Sequence, residues 1–250
     1  MGKVVAVVCV RMGSERLPGK MMREALGSPL LGHLLGRVRQ AKHLDGVVVA
    51  IPTATENDVI AQYCKTTGMP CFRGSEEDVM GRMLGALESV QAETGVEIYG
   101  DSPLIDPALI DECITAYREG NFEWVGNDVT PVYPSGMYSE AFSVASFRDA
   151  AERNTDPAIR EHGTLYLRQH PKLYRQKHLS YEGPLKRTDI HLDVDTEEDF
   201  GVFEEILRHF APRTDFSLGE IIAFLDAHPE VTALNKDIHR RWKQYQKPTT

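Results

Sequence analysis

Two textures alternate along this chain: short unbroken apolar runs, and apolar residues spaced three or four apart. The first run, Val4–Val10, is continuous, as expected of a strand covered on both faces. Beyond a loop, Leu30, Leu31, Leu34, Leu35, Val38 and Ala41 recur at the spacing of one helical face. The alternation then repeats. Val47–Ile51 reads as a strand ended by Pro52, and a helix is expected to open at Thr55, with Asp58 three residues on as in a capping box. A short strand near Cys71 and Phe72 leads to Ser75 and Asp78 at the same spacing, then to a helical stripe of Val79, Met80, Met83, Leu84, Leu87 and Val90. Its methionines and leucines are core residues. After a strand at Val96–Ile98, Asp106-Pro107 starts another helix, because proline in the first turn forfeits no hydrogen bond. That helix carries Leu109, Ile110, Cys113, Ile114 and Tyr117 and stops at Gly120. This repeated alternation predicts a doubly wound, mostly parallel α/β sheet covered by helices.

From Asn121 the texture changes. Pro131, Pro134, Gly136 and several aromatics predict loops and β-ribbon, followed by a helix capped at Asp156-Pro157. A strand at Ile190–Val194 restores the first texture, and Thr196 with Asp199 and Ser217 with Glu220 open two further helices. The tail after Lys247 is expected to fray. The chain thus reads as a single domain, 1–250, in three parts: 1–120, a small β-rich subregion at 121–189, and a returning strand with C-terminal helices at 190–250.

Composition sets bounds on function. At 250 residues, 42% hydrophobic and 26% charged, the chain is ordinary for a globular α/β domain. Its apolar runs fall short of a membrane span and no secretory pattern precedes Val4, so a cytoplasmic protein is expected. Cys9, Cys64, Cys71 and Cys113 form no C-x-x-C pair and read as buried thiols in a reducing compartment.

Charge is unevenly placed. The net charge is −9, yet residues 1–43 hold eight Lys and Arg against two Glu, a balance of +6 that leaves −15 elsewhere. A basic N-terminal portion on an acidic chain fits a pocket for a small polyanion and not a nucleic-acid surface, which needs a longer basic stripe. The focus is Arg11-Met-Gly-Ser-Glu-Arg-Leu-Pro-Gly-Lys20, a loop between the first strand and the first helix. There Gly13 lets backbone approach an anion, and Arg11, Arg16 and Lys20 neutralise phosphates. The alternative is a solvated basic loop.

In open α/β sheets the ligand lies at the carboxyl ends of the strands. Two expected strands end there in aspartate, Asp101 and Asp195. A triphosphate brings Mg²⁺, which takes one or two carboxylates beside phosphate oxygens, and these two aspartates could supply them. Alternatively Asp101 shapes a turn before Pro103, and Asp195 caps the helix after it. Asp193 has the wrong parity to share a face with Asp195 in a regular strand.

These motifs are familiar. The segment Arg11–Lys20 resembles the signature of sugar-acid cytidylyltransferases, the 3-deoxy-manno-octulosonate and N-acylneuraminate enzymes. Gly74–Val79, Gly100–Asp106, Arg160-Glu-His162 and Val194–Asp199, in that order, most resemble the spore-coat polysaccharide biosynthesis protein F-like branch. Phe216-Ser-Leu and His228–Val231 are similar to its C-terminal region, so the resemblance covers nearly the whole chain. Two features depart from the octulosonate enzymes: Gly100-Asp-Ser-Pro103 where they have Gly-Asp-Glu-Pro, and Ser75–Asp78 where they have a Ser-Gly-Thr-type element.

The resemblance implies a nucleotide-diphospho-sugar transferase fold and the reaction of CTP with a sugar acid to give CMP-sugar and pyrophosphate, serving surface polysaccharide synthesis. It implies catalytic roles for Arg11, Arg16 and Lys20, and nucleotide contacts from Met12, Gly13, Ser14, Ser75, Asp78 and Arg82. Mg²⁺ falls to Asp101 and Asp195. The acceptor falls to Gly136, Tyr138, Glu140, Arg160 and His162, although His162 alone also reads as a helix-surface histidine. A homodimer built through residues 121–175 is expected, with no nucleic-acid or membrane partner. Two other functions stand beside this one. One is a nucleotidyltransferase acting on a sugar phosphate or another phosphorylated alcohol, whose opening is usually richer in glycine. The other is a nucleotide-binding regulatory protein without turnover, which would not need the metal pair.

Overall fold

The computed structural model describes residues 2–128 and 132–240. The first strand, β1 (Val4–Cys9), is followed by the loop 11–20 and a small hairpin, β2 (Glu24–Ala25) and β3 (Ser28–Pro29), before helix α1 (Leu30–Val38). Next come β4 (Gly46–Pro52), α2 (Asp58–Thr66), β5 (Cys71–Gly74), α3 (Val79–Ser89), β6 (Thr94–Tyr99) and α4 (Pro107–Glu119). The chain continues through β7 (Trp124–Gly126), β8 (Ser139–Ser143), α5 (Val144–Arg153), α6 (Pro157–Arg160), α7 (Leu165–Gln169) and β9 (Gln176–His178). It closes with α8 (Glu197–Phe210), α9 (Leu218–Ala227) and the single turn α10 (Pro229–Ala233).

One seven-stranded sheet has the order β5-β4-β1-β6-β8-β7-β9. Strands β5, β4, β1 and β6 run parallel, β8 is antiparallel to both β6 and β7, and β9 is parallel to β7. The doubly wound, mostly parallel architecture is as expected. The β-rich texture after Asn121 becomes β7, β8 and β9, which extend the same sheet. Along β1, alternate residues feed two cores. Val4, Ala6 and Val8 pack with α1, α4, α8 and α9, whereas Val5 and Val7 pack with α3, α5 and α7. This period of two is what burial on both faces requires.

Helix starts follow local chemistry. Asp106 accepts from the Ala108 N–H at 2.9 Å, and Thr196 and Ser217 each close a full capping box with the acid three residues on. Three expectations are corrected. The helix expected from Thr55 begins at Asp58, after a 3₁₀ turn, because Asn57 accepts from the Met12 N–H at 2.9 Å instead of capping. The helix expected at Asp156-Pro157 is present as a single turn, with Asp156 accepting from the Ala158 N–H at 3.0 Å. Cys71, expected to be buried, is exposed on edge strand β5.

The third correction concerns Ile190–Val194, which forms no strand. Only His191 bridges, to Ser135, while the Leu192 N–H donates to the Ser135 carbonyl at 3.1 Å and the Val194 N–H to the Asp101 carbonyl at 2.8 Å. All five residues are buried, and side chains hold them where a ladder would: Ser135 donates to Asp193, and Asn235 donates to the His191 carbonyl at 3.1 Å. Pro131 and the tail after Lys247 lie outside the described residues. Among the described residues no helix is long and apolar enough to cross a membrane.

Candidate active site

The loop 11–20 is held in shape by its own backbone. The Met12 carbonyl accepts from the N–H of Ser14 at 2.8 Å and of Gly19 at 3.0 Å, and Leu17 inserts into the core. Gly19 is the residue with a left-handed conformation, φ +71°. Gly13 has no such φ, and a Cβ on it would meet Glu56 Oε1 at 3.0 Å. From this frame Arg11, Ser14, Arg16 and Lys20 all face a cleft of about 1000 Å³ at the carboxyl ends of β1 and β6.

Asp101 follows β6 directly. Strand β6 ends against β1 because residue 100 is glycine: a Cβ there would lie 2.7 Å from the Cys9 carbonyl oxygen. Backbone bonds close the turn after it, Ser102 N–H to the Tyr99 carbonyl at 3.2 Å and Ile105 N–H to the Ser102 carbonyl at 3.1 Å. The Asp101 carboxyl is left to accept from the Ser102 hydroxyl at 3.3 Å and to face the cleft. Asp195 reaches the same cleft from the segment fastened to the Asp101 carbonyl. It does not cap α8, since Thr196 does. Lys20 Nζ lies 2.8 Å from Asp195 Oδ1 and 2.7 Å from the Val194 carbonyl, and Arg16 Nη2 donates to Asp195 Oδ2.

The two carboxyls titrate in opposite directions. Burial pushes Asp101 up to about 6, against the pull of Lys20 and with the repulsion of Asp195 and Asp193 added. Burial also acts upward on Asp195, but the charge and hydrogen bond of Lys20, followed by the charge of Arg16, hold it below its ordinary value. Two hard oxygen donors and three cations line this cleft, a donor set that could hold a divalent cation and phosphate. Among the described residues no group of three or more His, Cys, Asp or Glu could hold a metal without such added oxygens.

The remaining site expectations divide. Arg82 and His162 line the cleft, as do Glu76, Glu77 and Val79 from the segment expected near the nucleotide. Met12, Ser75 and Asp78 do not. Asp78 caps α3, accepting from the Gly81 N–H at 2.8 Å, and is gripped by Arg160 through bonds of 3.0 and 2.7 Å. Arg160 also donates to the Ala151 and Asn154 carbonyls, so it ties α3 to α5 and α6 and does not face the cleft. Gly136, at φ +84°, lets its loop meet Leu192 and Asp193, where a Cβ would lie 2.7 Å from the Asp193 nitrogen. Tyr138 is buried, its hydroxyl turned to the Tyr133 carbonyl. His162 follows α6 and is not on a helix.

Glu140 is fully buried behind the cleft wall. It accepts from Tyr99 at 2.8 Å, from Trp124 at 2.7 Å and from Thr164. Sequence reasoning missed the wall itself, made by Glu97, Tyr99, Thr164 and Arg168. One signal was available: Glu97 interrupts the otherwise apolar run of β6.

Comparison with known proteins gives the family. Residues 5–225 match the cytidylyltransferase family. The chain belongs to that family. Bacillus subtilis spore coat polysaccharide biosynthesis protein SpsF is 32% identical over 237 residues, 92% of this chain and 97% of that protein. The 3-deoxy-manno-octulosonate cytidylyltransferase of Geobacter sulfurreducens is 34% identical over 118 residues, 46% of each chain. A solved cytidylyltransferase from Leptospira borgpetersenii superposes with a TM-score of 0.88 at 26% identity, over 96% of this chain and 100% of that one. In this cytidylyltransferase the loop 11–20 and the carboxyl ends of β1 and β6 therefore form the candidate active site.

Proposed function

We propose that this cytidylyltransferase couples CTP to an acidic sugar, of the nonulosonic or 3-deoxy-octulosonic type, for surface polysaccharide synthesis. The observation that carries the reading is the convergence of Arg16 and Lys20 on Asp195, with Asp101 in the same cleft. Support for the substrate class comes from the relatives named SpsF and 3-deoxy-manno-octulosonate cytidylyltransferase.

In the reaction the anomeric hydroxyl of the acceptor attacks the α-phosphorus and releases its proton to water, the bond to the β-phosphate oxygen breaks, and pyrophosphate leaves with that electron pair. Arg11, Arg16 and Lys20 bind the triphosphate and offset charge growing on the phosphorus oxygens and the leaving group. Ser14 adds a hydroxyl donor from the same loop. Asp101 and Asp195 are the residues that would hold Mg²⁺, which supplies positive charge to the phosphates and lowers the pKa of a hydroxyl beside it. Lys20 keeps the Asp195 carboxylate ionised before ligands arrive. The same reading places the enzyme in the cytoplasm as a homodimer using the segment 121–175, and light scattering at micromolar concentration tests the dimer.

The deciding experiment is pyrophosphate release with each of the four nucleotides and with N-acetylneuraminic acid, 3-deoxy-manno-octulosonic acid and a sugar 1-phosphate as acceptors. Release requiring CTP and a sugar acid supports the proposal. Release with the sugar phosphate alone, or with no preference among nucleotides, overturns it.

A further inference from the structure

The far wall of the cleft has a chemistry unlike the phosphate loop. Glu97 lies on β6, is 7% exposed, and presents its carboxyl to the cleft beside Thr164 and Arg168. Its position is built. A Cβ on Gly163 would lie 2.3 Å from Glu97 Oε1, so only glycine lets the carboxyl stand there. Thr164 stands between Glu97 and Glu140: its hydroxyl donates to Glu140, and it lines the cleft beside Glu97.

The arginine of this wall already has acidic partners. Arg168 is bound to Asp128 and lies 3.8 Å from Glu140. A second and independent observation points to a ligand. Arg82, 5% exposed, lines the same cleft and donates through Nη1 to the carbonyls of Ser75 and Glu76, yet its Nε–H has no partner. The Nε–H of Arg168 is also without one. Buried donors without partners are costly, and each favours a ligand oxygen. A carboxyl that keeps its proton both donates and accepts, and beside guanidinium groups it is matched by an uncharged group able to do both. A hydroxyl does both; an ammonium only donates, and a carboxylate or phosphate only accepts.

We propose that Glu97 determines acceptor specificity, selecting acceptors that present a hydroxyl to this wall over those presenting a carboxylate, a phosphate or an ammonium. The proposal rests on the sugar-acid reading above and deepens it: the acid end of the acceptor belongs near the cationic loop, and its polyhydroxyl end belongs against Glu97.

The test measures pyrophosphate release for the wild type, Glu97→Leu and Glu97→Gln. The acceptors are whichever of N-acetylneuraminic and 3-deoxy-manno-octulosonic acids is turned over, its analogues lacking one hydroxyl at a time, and the amine-for-hydroxyl analogues. For one deoxy analogue the wild type should lose about tenfold in kcat/KM, the equivalent of one hydrogen bond. Glu97→Leu should lose as much on the parent acceptor, mainly in KM, and nothing further on that analogue. Glu97→Gln, whose amide donates and accepts, should stay within about threefold of the wild type. If Glu97→Leu does not fold, Gly163→Ala displaces the carboxyl and should give the same pattern. A leucine variant that keeps the wild-type preference among analogues overturns the proposal, as does a wild type that prefers the amine. Failure of every sugar acid with the wild type is a different result, which fells the sugar-acid reading and this inference with it.

Discussion

Lys20 Nζ sits 2.8 Å from Asp195 Oδ1, across 175 positions of sequence. The pair joins the phosphate loop to the segment that would carry the metal, so one contact reports on both halves of the chemistry. Lys20→Ala should lower turnover about a hundredfold or more, as loss of a charge contact to a transition state does. Lys20 begins a 3₁₀ turn whose anchor is the buried Met21, and Arg16 still pairs with Asp195 in the variant. The melting temperature should therefore move little. Turnover within threefold of the wild type would remove the loop 11–20 from the reaction.

The two aspartates can be tested separately from folding. Neither caps a helix or closes a turn through its side chain, so Asp101→Asn and Asp195→Asn should fold as the wild type does. Each should lose most turnover and need more Mg²⁺ for what remains, because an amide is a poorer ligand than a carboxylate for a hard cation. Full activity at unchanged Mg²⁺ in either variant would exclude that residue from the metal site.

Arg160 is a case where position in a motif and role in the structure part company. Its guanidinium is engaged by Asp78 and by two backbone carbonyls, so Arg160→Ala should cost about 1–3 kcal/mol, the range for hydrogen bonds to charged groups. Its KM for the acceptor should be unaffected. Urea unfolding and acceptor titration separate the two effects, and a double-mutant cycle with Asp78→Asn should show coupling. A raised acceptor KM at wild-type stability would return Arg160 to the acceptor site.

What the sequence could show depended on how far apart the partners are. The capping boxes at Thr196 and Ser217 are local, so their helices are placed from four residues each. The loop 11–20 is legible because its cations are clustered. Asn57 looks like part of a helix start, but its side chain is taken by Met12, 45 positions away. Ile190–Val194 has the residue types of a strand, yet it is held by Ser135 and Asn235, which no periodicity links to it. Glu140 and Arg160 lie in motifs resembling acceptor sites, and their engagement by Trp124 and Asp78 is a tertiary fact.

Glu97 gives a pH dependence with a definite sign. Burial, then the nearby Glu140, push its carboxyl from 4.5 up to about 8 against the pull of Arg168 and the hydrogen bonds of Thr164, with Tyr99 on its own strand and Cys9 and Arg82 on the facing side. Between those values the folded protein holds a proton that the unfolded chain has released, so this group's contribution to stability falls as pH rises. Glu97→Gln removes that loss. The difference in melting temperature between Glu97→Gln and the wild type should therefore move in favour of the variant from pH 5.5 to pH 8.5. A difference independent of pH would mean that Glu97 is ionised throughout.

Arg240 closes the network behind the segment that carries Asp195. Its guanidinium is buried and donates to both oxygens of Asp199, at 3.0 and 2.6 Å, with Asp193 at 3.5 Å. Asp199 in turn accepts from the backbone N–H of Asp195 and of Thr196, each at 3.0 Å, and from Asn235 at 2.8 Å. Removing the arginine leaves a buried carboxylate without its charge partner. Arg240→Ala should then cost about 3–5 kcal/mol, the range for breaking a buried ion pair. Arg240→Lys keeps the charge but not the two-pronged geometry, so it should be more stable than the alanine variant and less stable than the wild type. Because the same carboxylate holds the Asp195 backbone, the lysine variant should also need more Mg²⁺ for half-maximal turnover while still folded. Urea unfolding gives the first quantity and activity against Mg²⁺ the second. An unchanged Mg²⁺ requirement in a destabilised Arg240→Lys would confine Arg240 to folding and leave Asp195 positioned by Lys20 and Arg16 alone.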